Sequence, residues 1–178
     1  MINELKESLW KQFGASIDML GNAIALWPEE YWASRPRFFY IAYHCLVFLD
    51  YYLTMPPPVN FVSPLPFTLI EPENTVEGLV DDVRPDRIYN KKELLDYLAY
   101  GRRKCQDLVA SLTPEKLEER WIETIDDPGA MNYSLLEILL YNLRHVQHHA
   151  AQLNLLLRQA TDEAPQWVSR AKDDIRIS

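Results

Sequence analysis

The sequence predicts an all-α protein, a four-helix bundle with a long crossover between its second and third helices. Four segments place apolar residues three and four positions apart, the spacing of one face of an α-helix. No segment alternates apolar and polar residues for long enough to predict a sheet. With 178 residues, 48% of them hydrophobic, the chain is expected to form one domain over residues 1–178 with one sizeable core.

The first predicted helix covers residues 3–26, and the sequence WPEE ends it. Its apolar stripe consists of Leu5, Leu9, Phe13, Ile17, Leu20 and Ile24. Trp10 and Trp27 are expected to be exposed on this helix, where they hint at a homodimer face, although single exposed aromatic residues are common.

The second predicted helix covers residues 36–54 and begins with a proline, which a first turn tolerates. It is apolar nearly all round, so it is expected at the centre of the bundle. Its apolar run, residues 38–53, is shorter than the roughly 20 residues of a membrane span, so no membrane partner is expected. Asp50 lies in this helix. Orientation of a ligand and action as a base are open roles for it, and we expect it instead to pair with an arginine at the bundle end.

Two further helices follow the crossover. One covers residues 90–112 with Asn90 as its cap, and Thr113 starts a short helix after it. The last covers residues 134–159, where the sequence SLLE predicts a capping box. The polar tail from residue 161 is expected to be a loosely packed end.

The crossover, residues 55–89, is too rich in proline for a helix and too apolar for a solvated linker. So long a loop within a compact domain usually has a function. Two interpretations of this segment are possible: an ordered cover over one end of the bundle, or a simple crossover.

Charge and composition exclude several classes of protein. A net charge of −8 and a pI near 5.0 argue against a nucleic-acid partner. The amino terminus lacks the pattern of a signal peptide, and the two distant cysteines fit reduced thiols, so a cytoplasmic location is expected. No G-x-S-x-G, HExxH or glycine-rich phosphate loop occurs.

Every histidine lies in one of two apolar segments. His44 lies within the second helix, and His145, His148 and His149 lie within five positions of the last. At about 100° per residue, His145 and His149 stand about 40° apart, and His148 lies about 60° to the other side of His145. Either His145 with His148 or His145 with His149 can hold one ion, and the spacing of four fits the apolar stripe better.

Inward-facing imidazoles need hydrogen-bond partners or a metal. Two from one helix and His44 from another would supply three nitrogens for a divalent ion and leave a fourth position open. Asn142 and Gln152 flank the histidine pair and are candidates for hydrogen bonds that fix imidazole tautomers, unless they are ordinary polar core residues.

Two stretches resemble the signatures of the DinB-like superfamily, also called DinB/YfiT-like metalloenzymes. They are HVQHHAAQLNLLLR in the last helix and YIAYHCLVF in the second, and the resemblance covers essentially the whole chain. It implies a four-helix bundle that binds one divalent ion, often nickel, zinc or iron, through His44, His145 and His149, with His148 as a neighbour. Ala150 and Ala151 stand where many members carry Arg-Gly.

Known members include thiol S-transferases, a mycothiol-dependent isomerase and proteins described as metal-dependent hydrolases. The resemblance therefore implies an enzyme that acts on a small molecule, for example a low-molecular-weight thiol, by metal-activated hydrolysis or thiol S-transfer. The sequence identifies no catalytic side chain apart from the metal ligands. Two alternatives stay open, namely a non-catalytic bundle in which the ion is structural and a metal-free bundle whose histidines bind one another through water.

Overall fold

The computed structural model describes residues 1–71, 74, 76, 78, 79, 82–123 and 129–175, and these residues are mostly helical. The long helices are α1 (Ile2–Leu26), α2 (Pro36–Tyr52), α3 (Lys91–Ala110) and α5 (Leu135–Thr161), and α4 (Pro114–Leu117) is a single turn. A 3₁₀ turn, Glu29–Tyr31, connects α1 to α2. The predicted helical fold is confirmed. Parts of the predicted crossover (72, 73, 75, 77, 80 and 81) and of the predicted domain (124–128 and 176–178) lie outside the described residues.

Two small sheets correct the prediction that the chain has none. Strand β1 (Phe67–Leu69) pairs antiparallel with β2 (Val83–Pro85), and β3 (Arg120–Ile122) pairs antiparallel with β4 (Asn132–Ser134). Each strand has three residues. A strand of that length is too short to give a readable period-two alternation, which is why the sequence did not indicate it.

Side-chain caps explain where three helices begin. Asn90 and Glu93 form a capping box at the start of α3. At the start of α5, the Ser134 side chain accepts a hydrogen bond from the backbone N–H of Glu137. Thr113 caps α4 in the same way, by accepting from the backbone N–H of Lys116. Because each cap satisfies an N–H that the helix leaves unpaired, it fixes the residue at which the helix starts.

The four long helices pack against one another around one cluster of buried side chains. Helix α1 packs mainly on α3 and α5, and α2 packs mainly on the same two helices. Most of α2 is buried, as predicted from its composition. Within the described part of the chain, no helix has both the length and the apolar character needed to cross a membrane.

The prediction that Trp10 and Trp27 are exposed is wrong. Their side chains are 0% and 2% exposed. The indole N–H of Trp10 donates to the carbonyl oxygen of Asp173, and the ring of Trp27 stacks on that of Phe38 with centroids 4.1 Å apart. Neither residue contributes to an exposed face, so the argument for a homodimer that rested on them no longer holds.

The tail after α5 is also packed more closely than predicted. Ala171 is buried, and its N–H donates to the carbonyl oxygen of Lys11 at 2.9 Å. Gly14 makes this approach possible, since a Cβ at that position would lie 2.8 Å from the Cβ of Ala171. Arg102 of α3 binds the carboxylate of Asp173 at 2.6 Å. These contacts hold the tail across α1 and α3.

Asp50 pairs with a lysine, and not with the predicted arginine. Its buried carboxylate lies 2.5 Å from Nζ of Lys104 and accepts a hydrogen bond from the hydroxyl of Tyr97 at 2.9 Å. The Tyr97 hydroxyl in turn accepts from Ser63 of the crossover at 3.0 Å. This network joins α2, α3 and the crossover.

Candidate metal centre

Three imidazole rings converge where α2 packs on α5. The Nε2 atoms of His44 and His145 are 3.2 Å apart. The ring centroid of His149 lies 4.8 Å from that of His44 and 4.5 Å from that of His145. One nitrogen from each ring can be chosen so that all three lie within 4.8 Å of one another. The structure thus brings together the three residues that the sequence proposed as ligands.

Helix periodicity and helix packing explain the convergence. His145 and His149 are four residues apart on α5, so both rings face α2 one turn apart. The buried side chain of Asn142 donates through Nδ2 to the carbonyl oxygen of Leu49 at 3.0 Å, which fixes α5 against α2 next to the cluster. The Oδ1 atom of Asn142 is buried and has no hydrogen-bond partner among the described residues.

Burial keeps the rings of His44 and His145 neutral. Loss of solvent, and secondarily the nearby ring of His149, lowers the pKa of His44 from 6.5 to about 3. Loss of solvent also lowers the pKa of His145 to about 3, with smaller contributions from His149, His44 and His148. Only the neutral imidazole offers a lone pair to a metal, so both rings are in the ligating form at neutral pH.

Gln152 orients the third ring. Its Oε1 atom lies 2.8 Å from Nδ1 of His149. An amide oxygen only accepts hydrogen bonds, so the proton of His149 is placed on Nδ1 and the lone pair on Nε2. The Nδ1 atoms of His44 and His145 are buried without a partner among the described residues. Gln152 is therefore a predicted supporting residue whose hydrogen bond to an imidazole the structure records directly.

Aromatic side chains enclose the cluster on the α2 side. The ring of Phe48 lies 4.6 Å from His44 and 5.9 Å from His145, centroid to centroid. Tyr52 meets His145 edge-on at 5.9 Å. Phe48 follows His44 by four residues on one helix, so the sequence already places the two side chains on the same face of α2.

His145 is partly exposed, and it borders an open cleft. A cleft of about 370 Å³ is lined by Tyr141, Arg144, His145 and His148. His148 is exposed, and its ring centroid is 5.1 Å from that of His149. It thus lies at the mouth of the site, beside the cluster. Cys45, next to His44 in sequence, is fully buried, and burial raises the pKa of its thiol.

The donor set fits a divalent transition metal. Two nitrogens bound to one tetrahedral ion at about 2.0–2.1 Å are about 3.3 Å apart. The observed 3.2 Å between the Nε2 atoms of His44 and His145 agrees with that separation. Zinc, nickel and iron all accept imidazole ligands, so the donor set does not choose among them.

Comparison with known protein families gives a match that spans the three histidines. The family model of the DinB superfamily matches residues 12–153, a range that contains His44, His145 and His149. Comparisons with curated proteins and with solved structures gave no significant match. The match spans most of the 178 residues and confirms the resemblance seen in the two histidine stretches, so the chain belongs to the DinB superfamily.

Proposed function

We propose that this protein is a divalent-metal-dependent enzyme that acts on a small molecule, with His44, His145 and His149 as the metal ligands. The observation that carries the proposal is the convergence of three imidazole nitrogens from two helices within 4.8 Å. A bound zinc, nickel or iron ion would supply Lewis-acid chemistry suited to hydrolysis or to thiol S-transfer.

We infer that residues 1–178 form a single domain. We infer that α1, α2, α3 and α5 form a four-helix bundle and that residues 55–89 are its crossover. Each of these helices packs mainly on two of the others, and all four contribute to one buried cluster. Sites between facing helices are where bundles hold metals.

The surrounding residues receive supporting roles. Gln152 holds the tautomer of His149, and Asn142 holds the backbone of α2 against α5. His148 and Arg144, at the mouth of the cleft beside His145, contact the incoming substrate. We keep a low-molecular-weight thiol among the candidate substrates, because a divalent ion held by the three histidines would favour the thiolate form of a thiol that coordinates it.

An accessible ligand favours the catalytic function over a structural ion. A structural zinc site is closed by four protein ligands, whereas a catalytic site keeps one side open. Here three protein nitrogens converge, and the open cleft reaches His145. The second candidate is a bundle held together by a structural ion. Removing the metal distinguishes the two candidates. The catalytic proposal expects the metal-free chain to stay folded, and the structural proposal expects it to unfold.

Metal content tests the ligand assignment. We expect the untagged protein to contain about one equivalent of a transition metal. Each of the variants His44→Ala, His145→Ala and His149→Ala should lose it, and His148→Ala should retain it, because His148 lies outside the cluster. Elemental analysis of the five proteins gives the answer. Full metal content in His149→Ala, or none in the parent after reconstitution, would refute the assignment.

Turnover tests whether the metal-bound protein is an enzyme. The metal-loaded parent should hydrolyse activated esters or transfer a small thiol to an electrophile, and the metal-free parent should do neither. If the loaded protein carries out neither reaction while the metal-free chain unfolds readily, the structural alternative is supported.

A further inference from the structure

A second cavity lies one helical turn from the histidine cluster. It has a volume of about 360 Å³, and Val47, Phe48 and Tyr51 of α2 form one wall. These residues follow His44 by three, four and seven positions, so they share its face of the helix. Phe48 belongs to both places, since its ring centroid is 4.6 Å from that of His44. A molecule in this cavity would therefore contact a side chain that also contacts the cluster.

The crossover forms the opposite wall. Val59, Phe61, Phe67 and Leu69 line the cavity, and the ring of Phe61 meets that of Tyr51 edge-on at 5.3 Å. Val59 is 99% exposed and Leu69 is 68% exposed. Large apolar side chains that are exposed at the edge of an aromatic cavity can bury the apolar part of a ligand.

The charged side chains that line this cavity are acidic. Glu123 and Asp82 are on its wall, and the described residues that line it include no lysine, arginine or histidine. The hydroxyl of Tyr51 donates to Oε1 of Glu123 at 3.3 Å, which places that carboxylate beside the aromatic wall. Aromatic faces and carboxylates both attract cations.

We propose that this cavity binds the body of the substrate and that the substrate class is a small ring-bearing amine. The ring packs between α2 and the crossover, and the ammonium group faces Glu123 and Asp82. That the bound amine is a substrate depends on the proposed function, whereas its binding does not require the metal. The crossover is thereby assigned a function, since it supplies most of the residues that line the cavity.

Calorimetry with three probes of nearly equal shape tests the substrate class. The probes are 2-phenylethylamine, 2-phenylethanol and phenylacetate, titrated at low salt into the full chain with and without metal. We expect the amine to bind about tenfold more tightly than the alcohol, because a cation gains attraction from both the rings and the carboxylates. Phenylacetate should bind most weakly, since its charge is repelled.

Matched variants locate the binding. Glu123→Gln should weaken binding of the amine about fivefold and leave that of the alcohol unchanged. Glu118→Gln removes the same charge from an exposed position outside the cavity, so it should bind all probes as the parent does. Val59→Lys places a cation at an exposed position on the cavity edge, so it should weaken binding of the amine by charge repulsion and leave that of the alcohol unchanged.

Three results would overturn the inference: equal affinity for the amine and the alcohol, tighter binding of phenylacetate, or parental affinity for the amine in Glu123→Gln or Val59→Lys. Failure of the metal proposal has a different signature. Selective amine binding to a chain that takes up no metal supports the cavity and refutes the metal centre. One equivalent of metal without amine selectivity refutes the cavity alone.

Discussion

At the scale of single residues, the two neutral imidazoles of His44 and His145 link the site to the stability of the fold. Both pKa values are about 3 in the folded protein, below the 6.5 of an exposed imidazole. Between those values the unfolded chain binds more protons than the folded one, so protonation favours unfolding. The contribution of these groups to stability is complete above pH 6.5 and is lost as the pH falls toward 3.

We therefore expect the metal-free protein to lose stability on mild acidification. Its free energy of unfolding, from urea titrations followed by circular dichroism, should fall between pH 7 and pH 5.5. In the double variant His44→Gln/His145→Gln the dependence over that interval should be weaker. A parent whose stability rises on acidification would contradict the buried neutral state of these rings.

Gln152 is the residue through which the orientation of His149 can be tested. Replacing Gln152 with Leu removes the acceptor of the Nδ1 proton, so the ring can adopt the other tautomer or rotate. Loss of such a supporting hydrogen bond lowers metal affinity by roughly 10–100-fold. Competition with a chelator of known affinity measures the change. The exposed Gln159→Leu, on the same helix, should bind metal as the parent does.

At the scale of elements, the ion pair of Asp50 and Lys104 joins α2 to α3. The Asp50 side chain is 3% exposed and that of Lys104 is 24% exposed. Lys104 also donates to the hydroxyl of Thr54 at 2.6 Å. Removing the lysine leaves a buried carboxylate whose remaining side-chain partner is the hydroxyl of Tyr97, and a buried charge without its counterion is costly.

Lys104→Met should accordingly lower the free energy of unfolding by about 3 kcal/mol. Lys92→Met is the matched control on the same helix. It breaks the pair with Asp96, whose side chains are 82% and 65% exposed, and should cost at most about 0.5 kcal/mol. Urea unfolding of the two variants measures how far each lowers the free energy of unfolding. Equal decreases would show that burial of Asp50 does not increase the contribution of its ion pair to stability.

The elements also show what the sequence could and could not predict. The ends of the long helices were predicted to within two residues. For α3 and α5 the start was predictable because Asn90 and Ser134 cap N–H groups three positions away. The histidine cluster was predictable because a spacing of four on one helix brings two rings together. The partner of Asp50 was not, since Lys104 is 54 residues away and meets it only through the register between α2 and α3.

At the scale of the whole molecule, the tail contacts and covers Trp10, which the sequence predicted to be exposed. Trp10 was predicted at the surface because the residue that accepts from its indole is 163 positions away in sequence. Local patterns carry no information on such a contact. The tail reaches α1 at Gly14, where the absence of a side chain makes room for Ala171.

Gly14→Ala should displace the tail. The substitution gains about 1 kcal/mol in helix propensity, but the new Cβ would lie 2.8 Å from the Cβ of Ala171, which is fixed to its backbone. Hydrogen exchange should show faster exchange of the Ala171 amide. In Gly21→Ala the new Cβ meets the end of the Leu98 side chain, which can rotate away, so the tail should stay in place. An unchanged Ala171 amide in Gly14→Ala would refute this role of the glycine.

The aromatic contacts around the site give the protein an optical reporter of its own. The indole of Trp121 is buried and packs on Tyr52, whose ring meets His145. The fluorescence of Trp121 therefore originates close to the histidine cluster. A paramagnetic ion there would quench that emission, while the exposed Trp167 would still respond to a quencher in the solvent. Occupancy of the histidines could be followed by intrinsic fluorescence, with no dye or label attached.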